Sequence, residues 1–337
     1  MSAGATERED APRVAVVGLG LIGGSLARLL AARGVDVVAT DVSAATRAAA
    51  RRAGLTVADD VAGCVADAGL VVLATPLRAM PAVAADVAAH APASATVTDV
   101  GSVKGPVRTE VRAAGLGDRY VGAHPMAGTE HSGFDASEAG LLDGVRWAVT
   151  VDPGVDPARL AAVLELVTGP CAGTVAVLTD EVHDEAAALV SHVPHVVATQ
   201  LLNAVAGAPV RDVALGLAAG SFRDGTRVAF TDPARTEAMV TQNAAWVAPA
   251  LRKVVRDLEL VIEALETNAS THAFFRAADA VRQTGRPPVP AGAAPTAVEQ
   301  VPLTAGWPAA LVERCTAGAV VVGLTPTHAE VVRLAPR

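Results

Sequence analysis

Residues 13–34, "RVAVVGLGLIGGSLARLLAARG", constrain the fold more than any other stretch of the chain. Val14 to Val17 form a short apolar, β-branched run of the kind that makes a buried strand. Gly18, Gly20 and Gly23 follow at the spacing G-x-G-x-x-G, and Leu26, Leu29 and Leu30 then recur at helical spacing. A strand, a glycine turn and a helix in that order make a phosphate cradle. Gly18 permits the tight turn, Gly20 lets a pyrophosphate approach the backbone, and Gly23 lets the helix pack against the strand. The helix N-terminus offers unpaired N–H groups to the phosphates. The glycine spacing alone is weak evidence; its place between a strand and a helix gives it force.

The next strand-like run, "VDVVATD", ends in Asp41, about 20 residues past the glycines, where a carboxylate can accept from a ribose 2′-hydroxyl. No arginine directly follows Asp41, so the expected cofactor is NAD rather than NADP. Further runs at Leu70–Thr75, Ala95–Val100 and Arg119–Ala123 alternate with Ala-rich helical stretches. Strands alternating with helices predict a doubly wound parallel sheet of Rossmann type. Ligands of such sheets bind at the carboxyl ends of the strands. Thr75 in "ATPLRAM", Ser102 in "DVGSVKG" and His124 in "GAHPMAGTEHSG" therefore belong at the cofactor edge.

After Thr179 the strand signal stops. Apolar periodicity over 180–206, 232–266 and 271–283 predicts an all-helical second domain, whose long second helix would bury a face against another subunit. The expected layout is a disordered leader at 1–12, a dinucleotide-binding domain at 13–179, and a helical substrate and dimerisation domain at 180–284. A Pro/Ala-rich linker with a short extension would occupy 285–337. The formal net charge is −8, which argues against nucleic-acid or anionic-membrane partners. Three scattered cysteines form no metal or disulfide pattern and fit a reducing cytoplasm.

Five of the eight histidines lie between Gly122 and His195. Three of them, His183, His192 and His195, share one expected helix that also carries Pro194. A proline inside a helix is locally unfavourable, and such conflicts mark functional sites. Their spacing suits no zinc motif, so no metal is expected. Arg223 and Arg227 are four apart, and a guanidinium can grip a carboxylate bidentately.

Together, "VVGLGLIGGSLA", "TPL", "DVGSVKG", "GAHPMAGTEHSG", "HDEAAALVSHVPHVVA" and "FRDGTRVAFTDP" resemble the prephenate/arogenate dehydrogenase family of tyrosine biosynthesis, in family order over about residues 13 to 285. The resemblance implies NAD(P)-dependent oxidative decarboxylation of a cyclohexadienyl carboxylate by a homodimer. It implies His124 as the catalytic histidine, oriented by Ser102. Glu130, His183 and His195 would face the substrate, and Arg227 would bind the ring carboxylate. The sequence departs from the family after "TDP", where a tryptophan is usual and "ARTEAMVTQN" stands instead. Prephenate is the expected substrate, with arogenate the alternative. A non-catalytic NAD-binding sensor is the third reading, against which His124, Ser102 and Arg227 argue.

Overall fold

The computed structural model describes residues 12–129, 131–283 and 298–333. The expected leader apart from Pro12, the residue Glu130 and the stretch 284–297 lie outside the described residues.

Four parallel strands form the first sheet in the order β2-β1-β3-β4: β1 Val14–Val17, β2 Val37–Thr40, β3 Leu70–Leu73 and β4 Thr96–Asp99. Every residue of these strands is buried. That is why β1 and β3 read as continuously apolar rather than alternating, whereas β4 buries the polar Thr96, Thr98 and Asp99. Val14 and Val16 face one core with Leu26 and Leu30, whereas Ala15 and Val17 face the other with Met80 and Val87. Each fully buried Leu or Val contributes about 1.5–3 kcal/mol, so helices cover both faces.

The chain then turns from one sheet into another. Tyr120 bridges to Val97 of β4, and β5 (Gly122–Pro125) starts two residues later. The sequence places this strand at 119–123. Its displacement puts His124 inside the strand, paired with Ala148. The second sheet has six strands in the order β5-β6-β7-β9-β10-β8. They are β6 Arg146–Thr150, β7 Thr174–Leu178, β8 Val298–Pro302, β9 Ala319–Leu324 and β10 His328–Arg333. Residues 298–333 are thus no separate appendage. With the helix Trp307–Thr316 they extend this sheet beyond β7, through Val175 against Val321, and bury Trp307 and Leu311 in its core.

From Asp180 to Gln283 the described elements are helical. The helix Asp180–Ala187 runs into a π-helical segment, Ala188–His192, and then into Val193–Ala206. Pro194 sits in the first turn of that last helix, where its missing N–H is tolerated, and the wide π turn precedes it. The single long helix expected over 232–266 is two. Pro233–Gln242 and Ala244–Glu266 meet at Asn243, whose φ of −103° and ψ of 23° interrupt the helix. Leu258, Leu260, Ile262, Leu265 and Phe275 are exposed on this half. No helix among the described residues is long and apolar enough to cross a membrane.

Asp180 and Asp184, four apart on one helical face, fasten the helical half to the sheets. Asp180 pairs with Arg108 of the helix Gly105–Ala113, and Arg108 also reaches Asp152 at 2.9 Å. Asp184 accepts from the backbone N–H groups of Lys104 (2.8 Å) and Gly105 (2.9 Å) at the start of that helix.

Candidate active site

The glycine turn has the shape its spacing requires. Gly18 has a φ of +105°, and a Cβ there would stand 2.6 Å from the carbonyl oxygen of Ala74. A Cβ on Gly23 would collide with the Gly18 carbonyl, but one on Gly20 would meet nothing within 4 Å. Only the middle glycine therefore opens to a ligand, and it caps the helix Leu21–Ala32. Asp41 accepts from Leu19 N–H at 2.8 Å and from Ser43 N–H at 2.9 Å, which fixes its carboxylate beside the turn. Arg47 holds the carbonyls of Asp41 and Val42, at 2.7 and 3.1 Å. The Thr75 hydroxyl, next to Gly18, is buried with no hydrogen-bond partner among the described residues. An open glycine, an anchored carboxylate and an unpaired hydroxyl suit a dinucleotide. Gly20 and the helix N-terminus would hold its pyrophosphate, and Asp41 its adenine ribose.

At the same edge the histidines form a chain. His124 Nδ1 lies 2.9 Å from His183 Nε2, and His183 Nδ1 lies 2.7 Å from Asp184 Oδ1. Burial favours the neutral Asp184 carboxyl, but His183 and the N–H groups of Gly105 and Lys104 outweigh it and hold its pKa below the usual value. Asp184 is therefore ionised and accepts. A neutral His183 then carries its proton on Nδ1 and a lone pair on Nε2. His124 Nδ1 must then donate, which leaves the lone pair on His124 Nε2. Burial, then His183, Lys104, His192 and Arg235, push the His124 pKa well below the ordinary histidine value. The half-buried ring is neutral near pH 7, with a basic nitrogen free.

Behind His124 lies a second, fully buried network. Lys104 Nζ pairs with Asp99 and donates to the carbonyl of Ala123 at 2.7 Å. Asp99 accepts from Tyr120 Oη at 2.8 Å and from Ala123 N–H at 3.1 Å. Both backbone polar groups of Ala123 are thus held, and they fix the strand position of the next residue, His124. The "DVGSVKG" segment supplies this lysine as well as Ser102, and its sequence alone does not mark the lysine, because burial gives it its role. Ser102 is half-buried and makes no hydrogen bond among the described residues. The expectation that it orients His124 is corrected: His183 occupies the ring nitrogen that Ser102 would need.

His192 is fully buried, and Asn243 Nδ2 donates to its Nδ1 (2.9 Å) and to the Asp184 carbonyl (2.8 Å). The helix break at Asn243 is what aims that amide. Burial lowers the His192 pKa to about 4, so its Nε2 carries the proton of a neutral ring. That buried Nε2–H has no acceptor among the described residues. Nothing in the sequence ranked His192 above its neighbours, because burial decides it.

The structure joins some of the expected substrate residues and separates others. His183 is in direct contact with His124. His195 lies one turn beyond His192, and its Nδ1 bonds the Ser191 carbonyl at 2.9 Å. Arg227 is exposed and lines, with Arg223, Leu215, Phe222 and Phe230, a cavity of about 500 Å³ that contains no histidine. Its segment, Arg227–Phe230, packs on the helix that carries His195. The expected role of Glu130 falls outside the described residues. Among the described residues no His, Cys, Asp and Glu cluster could hold a metal ion.

Two family profiles match the chain. One describes the nucleotide-binding domain of prephenate dehydrogenase and matches residues 26–189; the other describes its dimerization domain and matches 179–277. A cyclohexadienyl dehydrogenase of Zymomonas mobilis is 36% identical over 252 residues, covering 73% of this chain and 86% of its own. A Corynebacterium glutamicum structure, named as a candidate prephenate dehydrogenase, is 34% identical with a TM-score of 0.78, covering 90% of this chain and 96% of that one. The prephenate dehydrogenase of A. aeolicus, solved with hydroxyphenyl propionate and NAD⁺, is 28% identical with a TM-score of 0.74, covering 82% and 99%.

Proposed function

The chain belongs to the prephenate dehydrogenase family, and from that premise we propose that it converts prephenate to 4-hydroxyphenylpyruvate and CO₂ with NAD⁺ as oxidant. The observation that carries the reading is the chain from Asp184 through His183 to His124, which leaves a basic Nε2 at the cofactor edge.

NAD⁺, when bound, supplies the hydride acceptor. The residues have the proton to manage. The substrate carbon that gives up hydride bears a hydroxyl, and His124 Nε2 takes that proton as the C–H bond breaks. His183 and Asp184 then face an imidazolium, whose charge the carboxylate stabilises. When the ring carboxylate leaves as CO₂, its bonding electrons make the ring aromatic and the former hydroxyl a phenolate. His124 returns the proton to that oxygen. Charges balance with no net proton released. His124 is thus base and then acid at one atom: the neutral resting ring serves the first step, and the imidazolium that it becomes serves the second.

Two consequences concern binding. Asp41 would accept from the ribose diol and repel a 2′-phosphate, so NAD⁺ should be strongly preferred over NADP⁺. Asp41→Ser should weaken NAD⁺ and relax the preference, since Arg47 beside it would then meet the phosphate unopposed. The ratio of kcat/KM for the two cofactors measures this, and equal values in the wild type would refute it. Arg227 is the proposed partner of the ring carboxylate. A charge-assisted hydrogen bond is worth about 1.5–3 kcal/mol, so Arg227→Ala should raise the prephenate KM about 10–150-fold. The KM for NAD⁺ should hardly change.

The reading includes a homodimer that covers the exposed apolar face of the helix Ala244–Glu266, in keeping with the matched dimerization domain. It also includes a cytoplasmic location, in keeping with three buried free cysteines. NADH formation and CO₂ release with prephenate and NAD⁺ test the activity itself. Absence of both would end the proposal.

A further inference from the structure

We infer that Arg235 is a second carboxylate anchor, which holds the side-chain carboxylate of the substrate and selects a keto acid over an amino acid. The inference rests on the reading of the substrate as prephenate.

Arg235 projects from the helix Pro233–Gln242 over the turn that follows His124. Its Nη1 lies 3.5 Å from the carbonyl of Thr129, and its Nη2 lies 3.4 Å from where a Cβ on Gly128 would stand. The guanidinium thus lies in van der Waals range of Gly128, against this turn. Two residues on, Glu237 faces Arg78 at 3.8 Å, in the turn Leu77–Ala79 just past β3. The helix thus spans two loops of the cofactor edge, one after β3 and one after β5. It also packs on the π-helical segment that carries His192. Arg235 is exposed, and among the described residues no carboxylate pairs with it. Its charge reaches His124 and helps keep that ring neutral. A guanidinium with no carboxylate partner among the described residues, at the turn that follows a catalytic base, is unexpected in a chain of net charge −8.

Prephenate carries two carboxylates, both on the ring end opposite the hydroxyl. They impose different demands. The ring carboxylate loses its charge during the reaction, so a tight grip on it would slow the chemistry. The side-chain carboxylate keeps its charge throughout, and a firm grip there lowers KM without a penalty in kcat. Arg227 is proposed for the first, and the second needs a cation of its own. Arg235, placed beside the His124 turn but outside the histidine chain, meets that need. A guanidinium there also repels the ammonium that arogenate carries in place of the keto group.

The test uses the full-length protein with Arg235→Leu, a substitution that an exposed helical position tolerates. The prephenate KM should rise about tenfold or more, with kcat within a few-fold. The kcat/KM ratio of prephenate to arogenate should fall. Binding of 4-hydroxyphenylpropionate with NAD⁺ present should weaken by a similar factor, because that probe keeps the phenol and the side-chain carboxylate. Binding of 4-ethylphenol, which has no carboxylate, should not change. A 4-hydroxyphenylpropionate affinity within twofold of wild type would overturn the inference, as would an equal loss for 4-ethylphenol. Wild-type protein that turns over neither substrate would instead refute the reading beneath it, and the two binding measurements would still decide the role of Arg235.

Discussion

His124→Asn should lose at least about 100-fold in kcat, and as much as about 10⁴-fold, the usual contribution of a positioned general base. Asparagine keeps a polar group of similar reach but has no nitrogen lone pair with which to take a proton. Prephenate and NAD⁺ should still bind, so the loss falls on kcat rather than KM. The pH profile gives the sharper readout. In the wild type, kcat/KM should decline only when the solution is acid enough to protonate His124. Burial, His183 and Lys104 depress its pKa well below the ordinary ~6.5. The acid limb should therefore lie below that value, and in His124→Asn it should vanish. A variant that retains the limb, or a near-normal kcat, would show that another group moves the proton.

Much of the fold was legible because its signals are local. The first sheet announces itself through apolar tetrads such as VAVV and LVVL, and the glycine turn through positions such as Gly18, whose left-handed φ few other residues tolerate. What stayed hidden depends on partners far apart in sequence. Nothing in "AVVVGL" says that Val321 will pair with Val175, about 146 residues earlier, because strand order is a property of the assembled sheet. The break at Asn243 was hidden for another reason. Apolar periodicity continues across it, and only the buried acceptors on His192 and Asp184 explain why an asparagine stands there.

The site divides along the same line. His124 and His183 lie in dense, unusual stretches, and the sequence marks both. Asp184 and Lys104 look like ordinary charged residues on helices. Their importance comes from burial and from bonds that span 80 and 19 residues. Ser102 shows the opposite failure. It sits in the right motif, but its expected bond is made by a histidine brought in from the helical half.

Asp184→Asn tests whether that histidine chain matters, and its expected effect rivals removal of the base. An asparagine that turns its amide NH₂ toward His183 would donate to Nδ1. His183 would then carry its proton on Nε2 and donate to His124 Nδ1, which moves the His124 proton onto Nε2. The base would present an N–H to a substrate hydroxyl that needs an acceptor. Loss of the correct tautomer should lower kcat by about 10²–10⁴-fold with little change in the KM for NAD⁺. Asp184 also accepts two backbone N–H groups from the helix Gly105–Ala113, so some loss of stability is expected as well. Asp180→Asn separates the two effects. Asp180 fastens the same pair of helices through Arg108 but makes no bond to either histidine. Its loss should also lower Tm, because it leaves the buried guanidinium with Asp152 as its remaining carboxylate partner, while kcat stays within a few-fold of wild type. If both variants lose kcat in proportion to Tm, Asp184 acts only as a fastener. If Asp184→Asn alone loses kcat, with its acid limb changed, the carboxylate sets the proton on His124 from two residues away.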